Sequence, residues 1–244
     1  ETLDAEFVIN EGGGGTTELF GVERPVYNVA VAEKGPLWLR LVAEGRPGHG
    51  SVPHDDNALD RLVRAMYRVQ EWKRPLTVSS VLTEYFTRLS RAGIYKGEAT
   101  VEGLTRAAEE DPRIRALLSN TISATTATSG IKHNVIPARA EATLDCRLLP
   151  GVKPDDFQAE LEAVIDDPKV RIERVHAGWS EVNPFETELF HTIESVIHDH
   201  IEEAVVVPGV TVSCTDSSVL RDRGAITYGF AGSLNVPDLG KTVH

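Results

Sequence analysis

The fold of the central part of the chain is decided by residues 134–148, which read NVIPARAEATLDCRL. From residue 140 onward, apolar side chains occupy every second position and polar side chains occupy the positions between them. Successive side chains of a strand point to opposite faces, so this period of two predicts a strand with one buried and one open face. Asn134 begins the open face and Arg147 ends it, which makes this face a candidate ligand surface.

The neighbouring segments extend this strand into a predicted domain. The predicted elements are a strand at 37–41, a helix at 57–69 capped by Asn57, strands at 122–128 and 134–148, a helix from Pro154 and a strand at 170–175. The order strand, helix, strand, strand, helix, strand predicts a ferredoxin-like α+β sandwich. Residues 77–120 are predicted to be an insertion of shorter helices, with breaks at Gly93, Gly97 and Pro112.

Strands and helices also alternate on both sides of this sandwich. Short buried strands are predicted at 7–9, 26–31, 205–207 and 226–230, and helices at 185–201 and 217–223. This alternation is typical of a parallel α/β sheet, although about four short strands make only an incomplete one. We therefore predict three ranges: part of an α/β domain at 1–35, an inserted sandwich at 36–178 and a second part of the α/β domain at 179–244.

Composition excludes several classes of protein. The 244 residues contain 25 Lys and Arg against 37 Asp and Glu, a net charge of −12 that argues against a nucleic-acid partner. The longest apolar runs, such as 204–207, are far shorter than the roughly 20 residues that a bilayer span needs, so we expect no membrane partner. Two cysteines cannot form a disulfide framework and fit a reducing compartment, which predicts a cytoplasmic protein.

Two loops carry polar residues that could serve chemistry or could be ordinary surface. Glu11 follows a short strand and precedes four glycines, a place where ligands bind in α/β sheets or where a carboxylate is simply solvated. His49 lies in a Gly- and Pro-rich loop, where a histidine can bind an anionic substrate or be inert. His54, followed by two aspartates, is predicted to be a solvated loop tip.

Two further spots have the same double interpretation. Arg147 suits bidentate recognition of a carboxylate, or it forms a surface ion pair with Asp145 or Glu141. Residues 213–217, SCTDS, lie between a strand and a helix, where Asp216 is a natural N-cap. Thr215 would then present its hydroxyl and backbone amide at a helix N-terminus, a place that favours anions.

Taken in order, these spots resemble the di-zinc aminopeptidase, aminoacylase and carboxypeptidase family, peptidase family M20. The matching segments are INEGG at 9–13, GRPGHGSVPHDDNAL at 45–59, HNVIPARAEATLDCRLLPG at 133–151, CTDSSVLRDRGAITYGF at 214–230 and KTVH at 241–244. The resemblance covers nearly the whole chain apart from about 77–120. It implies a zinc-peptidase-like α/β catalytic domain, incomplete here, with an inserted ferredoxin-like lid that also dimerises.

The resemblance also implies roles for individual residues. Glu11 and His244 match ligands of a site for two zinc ions, with cobalt or manganese as other possible metals. His49 matches a lid histidine that reaches the partner subunit's active site and polarises the scissile carbonyl. Asn134 and Arg147 match residues that hold the substrate, and Thr215 matches a residue lining the pocket. The implied reaction is metal-assisted hydrolysis of an amide bond in a small peptide or N-acyl amino acid by a homodimer.

The sequence departs from the family pattern in ways that affect this expectation. The family's HxD motif and Glu-Glu pair do not occur in matching positions, while Gly50 and Cys214 stand where the family has Ser and Gly. We therefore expect a fragment without the N-terminal metal-binding part, inactive on its own. The competing hypotheses are a non-catalytic dimerising lid fragment and a module that binds small carboxylates without metal.

Overall fold

The computed structural model describes residues 5–235, so the predicted zinc ligand His244 lies outside the described residues. In chain order the elements are β1 (Phe7–Asn10), β2 (Gly14–Leu19), β3 (Val22–Glu33), β4 (Gly35–Glu44), β5 (Gly48–His49), α1 (Ala58–Glu71), α2 (Ser80–Arg91), α3 (Val101–Glu110), α4 (Pro112–Leu118), β6 (Thr121–Ser129), β7 (Val135–Ile136), β8 (Arg139–Leu148), α5 (Pro154–Ile165), β9 (Val170–Ala177), α6 (Glu188–His200), β10 (Val205–Thr211), α7 (Ser217–Asp222), β11 (Ile226–Gly229) and β12 (Leu234–Asn235). No helix within 5–235 is both long enough and apolar enough to cross a bilayer.

The first sheet contains β1, β2, β3, β10, β11 and β12 and is mixed. β1 runs parallel to β11 and β3 parallel to β10, as predicted, but β2 and β3 form an antiparallel hairpin. The hairpin turns at Phe20 and Gly21, which both have positive φ and therefore match the twist of the strands. The prediction of a purely parallel sheet was wrong here, because the chain after the glycine run enters a strand instead of a loop.

The second sheet has the order β6-β8-β4-β9 and is antiparallel throughout, which is the predicted ferredoxin-like arrangement. Every second residue of β8 is buried, as its alternation predicts, and α1 and α5 pack on this face. The strand predicted at 134–148 is divided into β7 and β8. Pro137 explains the break, because proline has no N–H to donate to a sheet.

Helices α2, α3 and α4 form the predicted insertion between α1 and β6. Side chains of Ser79, Thr100 and Asp111 accept hydrogen bonds from the first backbone amides of the three helices, which fixes where they begin. Their apolar faces, including Phe86 and Leu104, join the core of the first sheet and not the core beneath β8. The inserted range 36–178 thus contributes to both cores, and its boundaries stay a prediction.

Candidate active site

Glu11 follows β1 directly and lies beside the segment that connects β10 to α7. The amide of Asn10 donates from Nδ2 to Oγ of Ser217 over 3.0 Å. On the other side of Glu11, a Cβ atom at Gly12 would lie 3.7 Å from both Oγ1 of Thr211 and Cγ2 of Thr215. The structure therefore places the turn that contains Glu11 next to the 211–217 segment.

Thr215 is held by a buried carboxylate that the sequence did not single out. Its hydroxyl donates to Oε2 of Glu33 over 2.7 Å and accepts the N–H of Ser217 over 3.1 Å. The hydroxyl of Thr215 thus has one donor contact and one acceptor contact within the protein. Helix α7 begins where predicted, but the Asp216 side chain makes no capping bond, and Oε1 of Glu33 accepts the N–H of Ser218 over 3.0 Å instead.

Arg221 is the buried counter-ion of Glu33. Its Nη1 lies 3.7 Å from Oε1 of Glu33, and both side chains are almost fully buried. Nε donates to the carbonyl of Thr227 over 3.1 Å, and Nη2 donates to the carbonyl of Ala30 over 3.4 Å. Burial lowers the pKa of Arg221, and the Glu33 carboxylate opposes this effect. Arg221 therefore ties α7, β11 and β3 to one point beneath the 213–217 segment.

Arg147 reaches the same segment from the second sheet. Its Nε and Nη2 donate to the carboxylate of Asp145 over 2.8 and 3.1 Å, which is the ion pair that the sequence offered as an alternative. Nη1 lies 3.4 Å from Sγ of Cys214, next to Thr215. The guanidinium of Arg147 thus links the open face of β8 to the segment beside Glu11.

His49 and Asn134 form a separate pair in the lid, where β5 pairs with β7. Nδ2 of Asn134 lies 3.5 Å from Nε2 of His49, and the N–H of Gly50 donates to the carbonyl of Asn134 over 2.8 Å. Nδ1 of His49 lies 2.7 Å from Oγ of Ser51 and 3.2 Å from its backbone N, so Ser51 occupies this side of the ring. The structure brings these two predicted residues together, with Ser51 as a neighbour that the sequence did not indicate.

His54 differs from the solvated loop tip that was predicted. Both ring nitrogens are buried and lack a hydrogen-bond partner within residues 5–235. A Cβ atom at Gly48 would lie 2.9 Å from Nε2, so the ring packs against the strand that carries His49. The prediction was wrong because the His54 ring packs against Gly48 instead of facing solvent. Asp56, two residues later, pairs with Arg61 and Lys169.

Lys34 lies between β3 and β4, where the chain passes from the first sheet to the second. Its ammonium group donates to the carbonyls of Ala116 and Ser119 over 3.0 and 2.8 Å and to Oγ1 of Thr121 over 3.2 Å. Burial, together with the nearby charges of Arg147 and Arg74, lowers the pKa of Lys34 to about 7. Lys34 therefore connects the insertion and the start of β6 to the end of β3.

A cleft of about 630 Å³ opens beside the Glu11 turn. Its walls come from the glycine run that begins β2, from the end of β10 and from α4, and they include Leu117, Val210, Thr211 and Val212. Half of the Val212 surface is exposed there (48%). The cleft can thus receive an apolar group next to the polar residues of the site.

The described residues do not form a metal site by themselves. Within 5–235, no three or more His, Cys, Asp or Glu side chains lie close enough together to hold an ion. Glu11 is the single predicted ligand among these residues, and one carboxylate is too few for a zinc ion, which takes three or four protein ligands.

Comparison with known proteins identifies the family. Residues 31–173 match the family model described as the peptidase dimerisation domain of M20 enzymes. The N-fatty-acyl-amino acid synthase/hydrolase PM20D1 of Xenopus tropicalis is 28% identical over 86% of this chain, and the chain covers 43% of that relative.

Two solved structures share the fold at low sequence identity. The di-peptidase Dug1p of Saccharomyces cerevisiae has a TM-score of 0.59 and 16% identity, covering 95% of this chain and 52% of its own. The M20 family metallo-carboxypeptidase Sso-CP2 of Sulfolobus solfataricus has a TM-score of 0.57 and 15% identity, covering 84% of this chain and 59% of its own. With more than half of its residues matching the family model, the chain belongs to the M20 peptidase dimerisation family.

Proposed function

We propose that the full-length protein hydrolyses an amide bond in a small peptide or an N-acyl amino acid, and that it does so as a homodimer. The observation that carries this proposal is that the Glu11–Gly12 turn of the first sheet and Arg147 of the second sheet both lie against residues 214–215. A carboxylate and a guanidinium near a largely apolar cleft suit a substrate with one charged end and one apolar end. The family membership supports the reaction class.

Arg147 is proposed to bind the substrate carboxylate. Two of its donors already face Asp145, which holds the guanidinium plane in place. The third contact, from Nη1 to the thiol of Cys214, is the weakest because sulfur is a poor acceptor. A substrate carboxylate that replaces this contact gains a charge-assisted hydrogen bond without breaking the pair with Asp145.

His49 is proposed to donate a hydrogen bond to the scissile carbonyl in the partner subunit's site. Ser51 occupies Nδ1, which leaves Nε2 as the nitrogen proposed to carry the proton that stabilises a developing oxyanion. Asn134 is proposed to orient the ring. Its backbone carbonyl accepts the N–H of Gly50, which fixes Asn134 beside the ring.

We infer that the reaction needs a divalent metal, with zinc as the first choice and cobalt or manganese as alternatives. Family resemblance supports this inference, and the structurally similar Sso-CP2 of Sulfolobus solfataricus is a metallo-carboxypeptidase. Glu11 is proposed as one ligand and His244 as another. The remaining ligands must come from outside residues 5–235, because those residues hold no ligand cluster.

The cleft beside Glu11 is proposed to take the apolar part of the substrate. Its walls carry Leu117, Val210 and Val212, and its volume of about 630 Å³ exceeds that of an amino-acid side chain. The name of the frog relative specifies N-fatty-acyl amino acids, which fits an apolar group of this size. Substrates with longer acyl groups are therefore expected to show lower KM.

A homodimer through the lid is supported by the surface of α1 and β6. Leu59, Val63 and Tyr67 follow one another at four-residue steps along α1, and 40–62% of each side chain is exposed. β6 is the edge strand of the second sheet and is exposed along most of its length. An apolar stripe next to an unpaired strand edge suits a second copy of the same surface.

Hydrolysis by the full-length protein tests the proposed function. Purified protein is assayed for metal content and for release of amino acids from N-acyl amino acids and dipeptides. We expect bound metal, loss of activity after chelation, and at least roughly 100-fold lower kcat in Glu11→Gln. Glu18→Gln, an exposed carboxylate of β2, is the matched control. Ligand binding without turnover, unaffected by chelators, would support the competing carboxylate-binding module.

Sedimentation tests the dimer. Val63→Glu buries a charge in the proposed interface and is expected to shift the protein toward the monomer. Val196→Glu is the matched control, since Val196 is also a half-exposed helical valine (50%) but lies on α6. Equal dimer fractions in the two variants would place the interface elsewhere.

The cytoplasm is the proposed location. Cys146 and Cys214 are both free thiols in the structure, which suits a reducing compartment. Cell fractionation that recovers the protein outside the cytoplasm would contradict this assignment.

A further inference from the structure

We propose that Glu33 is a positioning residue, which fixes the segment 213–218 in the conformation that places Thr215 and Cys214 at the site. This inference rests on the function proposed above for that segment. Glu33 ends β3, where its side chain is 2% exposed. Its position between an apolar strand and the connection to the lid allows it to contact both α7 and the loop before it.

The contacts of Glu33 account for the shape of the loop. Oε2 accepts the Thr215 hydroxyl and Oε1 accepts the Ser218 N–H, so the two oxygens hold both ends of one turn. The Asp216 side chain makes no capping bond, which leaves Glu33 as the carboxylate at the start of α7. A carboxylate from a different strand thus performs the task that a local cap usually performs.

The loop position has a direct consequence for substrate binding. Cys214 precedes Thr215, and its sulfur contacts Nη1 of Arg147. Gly12, next to Glu11, packs against Thr215. If the turn loses its anchor on Glu33, the neighbours of both Glu11 and Arg147 shift together. Glu33 therefore acts through the loop and does not itself touch the substrate.

Arg221 balances the charge of Glu33. Arg221 lies 3.7 Å from Oε1 and is anchored to backbone carbonyls of β3 and β11. Glu33→Gln keeps the size of the side chain but leaves it uncharged with one acceptor oxygen, so it can no longer accept both the Thr215 hydroxyl and the Ser218 N–H. Thr215→Val removes the hydroxyl and keeps the size and branching. The two substitutions thus weaken the contact between Glu33 and the 215–218 turn from opposite ends.

Amide hydrogen exchange and kinetics on the full-length protein test the proposal. Glu33→Gln and Thr215→Val are each expected to accelerate exchange in 213–218 at least roughly tenfold while α6 keeps its protection. Each is also expected to lower kcat/KM about tenfold. Because the two residues act as one unit, kcat/KM of the double variant should be no lower than that of the less active single variant. Glu18→Gln is the control for both measurements.

Three results would overturn the proposal. These are unchanged exchange in 213–218, additive effects of the two substitutions, and faster exchange spread equally over the loop and α6, which would indicate a general loss of stability. If Glu33→Gln does not fold, exchange in Thr215→Val decides alone. If the full-length protein hydrolyses no amide, the proposed function fails, while the exchange data still decide whether Glu33 positions the loop.

Discussion

Replacing Lys34 with methionine is expected to change how stability depends on pH. Lys34 is 1% exposed, and its ammonium group contacts two carbonyls and a hydroxyl but no carboxylate. Burial and the charges of Arg147 and Arg74 lower its pKa from 10.5 to about 7. In the unfolded chain this group regains its ordinary pKa, so folding and proton release are linked.

The sign and size follow from the two pKa values. Between pH 7 and 10.5 the unfolded state holds more protons on Lys34 than the folded state, so the contribution of Lys34 to stability rises with pH. Below pH 7 both states are protonated and the contribution no longer changes. One pKa unit corresponds to about 1.4 kcal/mol. Because folded Lys34 is half protonated at pH 7, the free energy of unfolding gains about 2 kcal/mol from Lys34 between pH 7 and 9.

Urea unfolding at pH 7, 8 and 9 measures this gain. The free energy of unfolding of the wild type minus that of Lys34→Met is expected to increase by about 2 kcal/mol over this range. Lys96→Met replaces an exposed lysine and should give a difference that stays flat. A flat difference for Lys34→Met as well would refute the reasoning, because it would mean that burial does not affect protonation of Lys34.

Two further predictions concern the backbone and the buried charges. Gly13→Ala should lower the free energy of unfolding by more than about 3 kcal/mol, because its Cβ would lie 2.3 Å from the carbonyl oxygen of Gly229. Gly21 also has a positive φ but has open space around it, so Gly21→Ala should lower the free energy of unfolding by about 1 kcal/mol. Arg221→Met should cost about 3–5 kcal/mol by leaving Glu33 buried without its counter-ion, and equal urea midpoints for variant and wild type would contradict this.

Local patterns predicted the ferredoxin-like part of the fold, because β8 alternates cleanly and its two helices begin at a capping Asn57 and at Pro154. The alternation in 140–148 indicated which face is buried, and Pro154 indicated where a helix begins. The β2–β3 hairpin was missed because four glycines resemble a loop, although Phe20 and Gly21 supply its turn. The association of α2–α4 with the first sheet depends on contacts between distant residues, and no local pattern reports such contacts.

The candidate site was predicted in part for the same reason. Motifs indicated Glu11, His49, Asn134, Arg147 and Thr215, and the structure joins them as two groups. The motifs did not indicate Glu33, Lys34 and Arg221, which hold the segments around the site.

Sequence offered one signal for these supporting residues. Glu33 and Lys34 place two charges between an apolar strand and Gly35, a position where charges must be buried and therefore partnered. Arg221 gave no such signal, because it stands beside Asp222 and Arg223 and resembles a solvated helix face.

Mixing two inactive variants of the full-length protein tests the central claim most directly. His49→Ala and Glu11→Gln are purified separately, dissociated, combined and allowed to reassemble. If His49 serves the partner subunit's site, each mixed dimer contains one intact site, and about a quarter of wild-type activity should return. If the mixture stays as inactive as either variant alone while sedimentation shows mixed dimers, His49 does not act across the dimer, and the proposed arrangement of the site is wrong.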